Sequence, residues 1–343
     1  MKNVKILGAG IAGLTAAINL AKNGYNVEVH EKLSDVGKNH RLNFEGLENW
    51  TTDIMGLLRK INIKTNFRKK PMKKVTWYSP SFNDVVLEDK SPFFYLVERG
   101  SKNSIESNLK KQALDAGVDI MFNSIIKYVD IVSTGASKPM GMGFGTFYDN
   151  VNHDDTVIGI LSNSVSPNGY FYLLVWNGQA TVCTTTTRVD MFKDISKIHQ
   201  KNLKLGICKN ILKGSKKRHE FSGFTNYNVP MSAVEDNRIL TGEAAGFQDA
   251  FLGFGMKYAF ISGYLAAKSI IDNISYDYLW KKAFGRELKK TSQSRFYLNI
   301  FGNRKYEDII DRMKNYKGSY RSMLKNIYTD YSILSEITCH LIR

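Results

Sequence analysis

The first residues of the chain show a strand pattern, then helical spacing, then a second strand pattern. Residues 4–7 form a β-branched run, and small or apolar side chains recur at helical spacing over residues 14–21. Gly24 is a typical helix end, and residues 27–30 predict the second strand. The pattern therefore predicts a β-α-β unit that closes on Glu31.

The rest of the chain mixes strand and helix patterns. Strands are predicted over residues 74–78, 84–87, 93–97, 118–122, 125–132 and 238–241. Helices are predicted over residues 47–61, 101–116, 190–203 and 255–272, and through most of residues 276–343. Residues 170–176 and 179–187 flank Asn177-Gly178, which predicts a hairpin because both turn positions need positive φ.

A glycine-rich turn joins the first predicted strand to the first predicted helix. Its residues are Gly8, Ala9, Gly10, Ile11, Ala12 and Gly13, with the spacing of the dinucleotide-binding fingerprint. In that fingerprint Gly8 permits the tight turn, Gly10 lets a pyrophosphate approach the backbone, and Gly13 lets the helix pack closely on the strand. The phosphates then lie against amides at the positive end of the helix.

An acidic residue at the end of the second strand completes the fingerprint. Glu31 is placed to accept hydrogen bonds from both hydroxyls of an adenosine ribose, which favours a cofactor without a 2′-phosphate. Lys32 follows at the same edge and is a further candidate contact. The alternative is a β-α-β unit that binds no nucleotide.

NAD and FAD share this fingerprint, so a second feature must choose between them. Residues 238–256 combine a strand, a glycine-bearing loop and the start of a long helix near Gly255, whose amides would face an anion or a flavin. With this segment the chain resembles the flavoproteins related to glutathione reductase and p-hydroxybenzoate hydroxylase. More narrowly, it resembles the geranylgeranyl reductase family, including the archaeal digeranylgeranylglycerophospholipid reductases, over nearly its whole length.

The resemblance implies FAD as cofactor and assigns further binding residues. Those implied for the ribityl chain and phosphates are Gly242, Glu243, Ala245 and Gly246. Those implied for the flavin ring are Gly253, Gly255 and Met256. Glu243 stands where the family usually has Asp, so its carboxylate lies one methylene further from the backbone.

Three further positions match the resemblance. Arg41 and Arg99 stand where such proteins have basic residues near the cofactor, with a solvated surface arginine as the alternative for each. Ile125 follows a predicted strand and is expected, by the resemblance, to offer its backbone to the adenine.

The resemblance covers the substrate region less well. The family has a Cys in the loop after the second strand and an aromatic-Pro signature, whereas residues 42–46 lack Cys and residues 170–175 lack the Phe-Pro pair. Tyr170 and Tyr172 remain as candidate catalytic or tunnel-lining residues, with core packing as the alternative. His40, in the loop expected to face the flavin, is a candidate proton donor, with a solvated loop residue as the alternative.

These features predict an FAD-dependent oxidoreductase of an apolar, isoprenoid or lipid substrate, and the resemblance implies that it reduces C=C bonds of this substrate. Two alternatives use the same fold or the same motif. The first is a flavin monooxygenase or a lycopene-cyclase-like enzyme, and the second is a nucleotide- or lipid-binding protein without catalysis. The expected ligand is an apolar small molecule or lipid, and the sequence does not name the electron donor.

Charge and cysteine content limit the partners. The 343 residues carry a formal net charge of +16, which indicates an anionic membrane surface or solubility alone. Nucleic acid is not expected, because the basic clusters are not interleaved with aromatics and no nucleic-acid-binding motif accompanies them. Three cysteines without a CxxC pair predict a reducing compartment and no metal site. With no pattern of a signal peptide, we expect a cytoplasmic protein, with peripheral membrane association as the alternative.

The expected fold class is α/β. A Rossmann-type FAD-binding domain is predicted from residues 1–70, 98–150 and 236–275. An antiparallel-sheet substrate domain is predicted from residues 71–97 and 151–235, and a helical C-terminal cap from residues 276–343.

Overall fold

The computed structural model describes residues 2–330, which form three β-sheets with helices packed around them. The strands are β1 Asn3–Leu7, β2 Asn26–Glu31, β3 Asn43–Glu48, β4 Lys69–Met72, β5 Lys74–Tyr78, β6 Asp84–Glu88, β7 Phe94–Arg99, β8 Asp119–Phe122, β9 Ile131–Val132, β10 Gly141–Asp149, β11 Thr156–Ile160, β12 Phe171–Trp176, β13 Gln179–Thr186, β14 Lys216–Thr225, β15 Val234–Glu235 and β16 Arg238–Leu240. The α-helices are α1 Ile11–Lys22, α2 Ile54–Lys60, α3 Ile105–Asp115, α4 Ile195–Asn202, α5 Gly206–Ile211, α6 Met256–Asp272, α7 Tyr276–Trp280, α8 Arg286–Asn315 and α9 Tyr320–Thr329.

The first sheet has the order β15-β16-β9-β1-β2-β8, and all its pairs are parallel except β15 with β16. Val4, Ile6, Val27 and Val29 are buried within it, as a sheet covered on both faces requires. Helices α1 and α6 pack against each other beside this sheet. The predicted β-α-β unit and the Rossmann-type fold are therefore confirmed.

The second sheet has the order β14-β10-β13-β12-β11-β5-β6 and is antiparallel apart from β5 with β11. The hairpin of β12 and β13 turns at Asn177 and Gly178, with φ of 53° and 71°, as predicted. Strand β10 bonds to β13 and β14 and so belongs to this sheet. The predicted domain boundary at residue 150 assigned it to the other domain and is wrong for this strand.

A third sheet, β3-β7-β4, corrects another prediction. Residues 47–61 were expected to be one helix, but β3 occupies the start of that range and pairs antiparallel with β7. The helix begins at Ile54, whose amide donates to the Asn49 side chain at 3.0 Å. Helical spacing cannot reveal this start, because the partner of β3 lies about fifty residues further along the chain.

Two further predicted elements are shorter than expected. The strand predicted over residues 125–132 is limited to β9, and Ile125 is 72% exposed. The helix predicted over residues 190–203 is a 3-10 turn at Val189–Met191 followed by α4.

The C-terminal helices cover one edge of the second sheet. Helix α8 breaks at Gly302, where φ is 49° and ψ is −128°, a conformation open essentially to glycine alone. Leu298, Tyr306 and Tyr328 are buried in a core shared with Phe94 of β7. The helical cap is thus present through Thr329, while residues 331–343 lie outside the described part of the chain. None of the helices within residues 2–330 is long and apolar enough to cross a bilayer.

Candidate cofactor and substrate site

A cavity of about 720 Å³ lies between the parallel sheet and the antiparallel sheet. Both glycine-rich segments reach it, as do the inner faces of β12 and β13. Its size and its mixture of apolar walls with a few polar groups are typical of a ligand site.

The turn between β1 and α1 forms one end of this cavity. Gly8 has φ of +102°, and a Cβ there would lie 2.4 Å from the carbonyl oxygen of Ser133. A Cβ on Gly13 would lie 2.1 Å from the carbonyl oxygen of Gly8, so Gly13 allows close packing and does not itself line the cavity. Above Gly10, by contrast, the nearest atom to an added Cβ is 4.0 Å away. The helix start therefore faces open space.

Among residues 2–330, no side chain competes for the amides at the start of α1. Gly10 caps the helix without a side-chain hydrogen bond, and the first turn contains no acidic residue. The free N–H groups of a first helical turn and the positive end of the helix dipole together favour an anion. Ala9, Gly10, Ile11 and Ala12 line the cavity at this point.

Glu31 lies at the end of β2, beside this turn. Its carboxylate accepts the amides of Ala9 and Leu33, each at 2.9 Å, and also lines the cavity. Lys32 and Ile125 line the same end, where Ser124 donates its amide to the carbonyl of Glu31. A carboxylate held by two amides has its direction fixed and retains lone pairs for a ligand.

The second glycine-rich segment meets the first across the cavity. Gly242 has φ of +56°, and a Cβ there would lie 3.4 Å from the Cβ of Ala12. Further cavity residues predicted from this segment are Glu243, Gly253, Gly255 and Met256. Ala245 and Gly246 are the exceptions, because neither lines the cavity. Gly246, with φ of +79°, instead turns the chain against the backbone of Asn228.

Arg99 is the centre of a buried charged cluster in the cavity wall. Its Nε donates to Glu106 Oε1 at 2.5 Å, its Nη1 forms an ion pair with Glu45, and its Nη2 lies 2.8 Å from His40 Nε2. Burial lowers the pKa of His40, and the charge of Arg99 lowers it further. His40 is therefore a neutral acceptor here, which does not favour the predicted role of proton donor.

Glu243 lies near the charges of this cluster, and its side chain forms no hydrogen bond with any residue in the described part of the chain. Burial raises its pKa to about 8, and the nearby Glu45 carboxylate contributes to the rise, while Arg99 opposes it. At neutral pH most of the Glu243 side chain is protonated and can donate a hydrogen bond into the cavity.

Arg41 corrects another prediction. Its side chain is exposed, does not line the cavity, and reaches the carbonyl of Glu220 at 3.4 Å. Arg41 has φ of +49°, and this turn points its side chain towards β14. Of the two arginines predicted near the cofactor, the structure brings only Arg99 to the cavity.

The other end of the cavity, which we call the aromatic chamber, is lined mainly by aromatic side chains: Trp77, Tyr170, Tyr172 and Leu174 at the second sheet, Phe94 of β7, and Phe254 of the loop before α6. Phe171, between the two tyrosines, points the opposite way into the core behind the sheet. The Tyr170 hydroxyl donates to the carbonyl of Leu252 at 2.6 Å, and Tyr172 lies opposite Cys183 of β13. Burial raises the pKa of both tyrosines, so both hydroxyls are neutral.

Sequence reasoning missed several cavity residues. Gln248 donates to the carbonyl of Gly253 at 2.8 Å, but within residues 2–330 its own buried Oε1 has no hydrogen-bond partner, and neither has the buried Asn43 Oδ1. Arg295 reaches the cavity from α8, and Glu45 from β3. Gln248 lies inside the recognised segment and could have been found there. Arg295 gives no local signal, because it is one of many basic residues in that helix.

Comparison with known proteins agrees with this fold. The profile of the NAD(P)-binding Rossmann-like domain family matches residues 6–44. No curated protein sequence matches the chain. A geranylgeranyl bacteriochlorophyll reductase-like protein from Thermoplasma acidophilum superposes with a TM-score of 0.78 and 19% identity, over 99% of this chain and 100% of that chain.

Other flavoproteins are similar at lower scores. The flavin-dependent brominase Bmp2 has a TM-score of 0.69 and 15% identity, over 99% of this chain and 98% of that one. CtdE, solved in complex with FAD, has a TM-score of 0.61 and 14% identity, over the full length of both chains. At these identities the likeness establishes the fold, and the chain has the fold of these flavoproteins.

Proposed function

We propose that the chain is an FAD-dependent oxidoreductase that acts on an apolar substrate, and that it reduces C=C bonds of an isoprenoid or lipid. One observation carries the proposal. A single cavity runs from the free amides of α1, past Glu31 and Gly242, into the aromatic chamber. It therefore offers a dinucleotide site and a substrate site that share one space.

The residues at the α1 end fit the ADP half of FAD. The open space above Gly10 would accept the pyrophosphate, which the amides of the first helical turn would bind. Glu31 would bind the adenosine ribose with its remaining lone pairs.

The residues around Gly253 and Gly255 fit the ring system. Gln248 Oε1 and Asn43 Oδ1 are buried acceptors that have no partner in the described part of the chain, and both residues line the cavity. Such an acceptor is costly unless a ligand supplies a donor, and a flavin ring carries N–H groups. Glu243, largely protonated, would donate to an oxygen of the ribityl chain or the ring.

FAD, when bound, supplies hydride transfer to or from its ring. The chain itself has to bind, orient and exclude water, and the aromatic chamber provides the dry space for an apolar substrate. Tyr170 and Glu243 are neutral groups of the cavity wall that can hold a proton. Tyr170 directs its proton to Leu252, so Glu243 is the better placed of the two to deliver one.

The likeness to the geranylgeranyl bacteriochlorophyll reductase-like protein of Thermoplasma acidophilum supports a reductase, whereas the likeness to the flavin-dependent brominase favours the alternative of an oxygen-dependent monooxygenase or halogenase on the same fold. The two can be separated in one assay. Purified protein loaded with FAD is reduced with dithionite without oxygen and given a geranylgeranyl lipid. If the protein is a reductase, the substrate reoxidises the flavin, and the flavin absorbance at about 450 nm returns. The mass of the substrate then rises by two hydrogens for each reduced bond.

Reoxidation only after oxygen is admitted, with an oxygen or halogen atom added to a substrate, would reject the reductase proposal in favour of the oxygen-dependent one. A protein that takes up no FAD at all would reject both. The Gly10→Val variant, described below, provides the matched sample without cofactor.

A further inference from the structure

Arg295 is a buried cation of the cavity wall that the proposed function does not use. It lies on α8, is 3% exposed, and lines the cavity beside Tyr170. Its Nε donates to the carbonyl of Ala250 at 2.7 Å, and its Nη2 donates to the carbonyl of Phe251 at 2.6 Å. The third bond runs from Nη1 to the carbonyl of Asn168 at 2.9 Å. The guanidinium is thus rigidly held at one end of the cavity.

All three of these partners are neutral, and the Tyr306 hydroxyl beside the guanidinium is neutral too. Within residues 2–330 no carboxylate forms an ion pair with Arg295. Asp249, on the adjoining loop, accepts the amides of Phe251 and Leu252 and the Tyr328 hydroxyl instead. The positive charge of Arg295 is therefore satisfied by hydrogen bonds but not neutralised.

Other buried cations in the described part of the chain are treated differently. Arg99 forms ion pairs with Glu45 and Glu106, and Lys257 forms ion pairs with Glu48 and Glu287. A buried charge without a counterion is unfavourable. Arg99 and Lys257 each have two carboxylate partners, whereas Arg295 has none in the described part of the chain. An anionic group of a ligand could therefore neutralise Arg295.

The surroundings of Arg295 indicate what carries that anion. The Tyr170 ring lies 5.7 Å from the Tyr172 ring and 6.1 Å from the Trp77 ring, so aromatic faces line the approach to the guanidinium. The Tyr170 hydroxyl bonds to Leu252, the residue next to the carbonyl that Arg295 holds. An apolar body against the rings would place an acidic group at Arg295.

We propose that the aromatic chamber binds a molecule with an apolar body and an anionic group, such as a carboxylate, sulfonate or phosphate, and that Arg295 binds this group. This inference rests on the proposed function for the identity of the chamber as the substrate site. The similarity of fold to known flavoproteins does not imply this feature: the anionic group of the ligand binds inside the cavity, next to the aromatic chamber.

Two matched probes test the inference. 8-Anilino-1-naphthalenesulfonate and N-phenyl-1-naphthylamine share one aromatic body, and only the first carries a sulfonate. Equilibrium dialysis with FAD-loaded protein measures both affinities while the cofactor occupies the phosphate turn. The wild type is expected to bind the sulfonate at least about tenfold more tightly than the neutral probe.

Three variants then locate the effect. Arg295→Met is expected to weaken binding of the sulfonate at least about tenfold and leave the neutral probe within about twofold. Arg295→Lys, which keeps the charge, is expected to retain most of the preference. Arg304→Met removes an exposed arginine from the same helix and is expected to change neither affinity.

An unchanged ratio of the two affinities in folded Arg295→Met would overturn the inference, as would an equal loss in Arg304→Met. If Arg295→Met does not fold, a wild type that binds the neutral probe as tightly as the sulfonate overturns it. Flavin content, measured on the same samples, separates this failure from failure of the proposed function. Protein without flavin can still show an Arg295-dependent preference, and flavin-loaded protein can lack it.

Discussion

Gly10 is the residue on which the proposed cofactor site depends most directly. Its backbone is extended, with φ of −82° and ψ of −174°, so any residue can adopt it. What glycine provides here is space, because an added side chain would project into the cavity without meeting the protein. Gly8 differs, since a Cβ there would collide with Ser133 and disturb the turn itself.

Replacing Gly10 with Val is therefore expected to abolish FAD retention while leaving the apoprotein folded. Flavin absorbance at about 450 nm per mole of protein, together with far-UV circular dichroism, measures both outcomes. Gly206→Val is the control, because Gly206 is exposed and a Cβ there meets nothing within 4 Å. Full flavin content in folded Gly10→Val would contradict the proposed phosphate site.

Glu243 gives a prediction about pH. Its pKa of about 8 means that it loses its proton as pH rises through 8, and the ionised form must then be desolvated beside Glu45 when the cofactor fills the cavity. FAD affinity is therefore expected to fall above pH 8, by up to about tenfold per pH unit.

Titrations of FAD fluorescence between pH 6 and 9.5 measure this fall, and Glu243→Gln is expected to flatten the profile. Glu235→Gln, an exposed change on β15, serves as the control and should follow the wild type. A Glu243→Gln profile that still falls with pH would assign the dependence to another group.

Helix α4 buries a titratable histidine against two strands of the second sheet. His199 of α4 is fully buried and hydrogen-bonds Thr146 of β10 at 2.9 Å and Thr184 of β13 at 3.0 Å. Burial lowers its pKa to about 4. Between pH 6.5 and 4 the unfolded chain therefore binds a proton at this histidine that the folded chain does not bind.

Because this folded pKa is depressed, the contribution of His199 is present above pH 6.5 and lost as pH falls. The free energy of unfolding is expected to drop by about 3 kcal/mol between pH 7 and 4 from this group. Urea unfolding measures the free energy of unfolding of the wild type and of His199→Gln at pH 7, 5 and 4. The difference between the two proteins gives the contribution of His199 at each pH. His153→Gln, at an exposed loop histidine, should show no such difference.

The whole molecule joins two segments that are more than two hundred residues apart. The turn at residues 8–13 and the segment at residues 242–256 meet only because α1 and α6 pack side by side and β1 lies two strands from β16. A ligand that spans both segments should therefore stabilise the fold as a unit, by about 2.7 kcal/mol at a hundredfold excess over its Kd.

Hydrogen exchange followed by mass spectrometry can show this spanning. FAD is expected to protect both segments, whereas ADP, which carries only the nucleotide half, is expected to protect residues 8–13 and leave residues 242–256 unchanged. Equal protection of both segments by ADP would mean that protection of the second segment does not require the flavin half.

The sequence by itself determined the elements whose signals are local. The β-α-β unit follows from periodicity, the turn from the spacing of Gly8, Gly10 and Gly13, and the hairpin from Asn177-Gly178. Each of these depends on residues within one or two turns of the chain, where backbone sterics and side-chain spacing decide the conformation. The position of Glu31 beside the turn could also be predicted from the sequence, because β1 and β2 are adjacent strands of one β-α-β unit.

Only the tertiary structure decided what depends on distant partners. Residues 43–48 became a strand because β7 pairs with them, and β10 joined the second sheet because β13 and β14 do. The cluster of Arg99 with Glu45 depends on where separate elements meet, and so does the position of Arg295 beside Tyr170, with no carboxylate partner within residues 2–330. Pairing and burial are set by the path of the whole chain, and no local pattern records them.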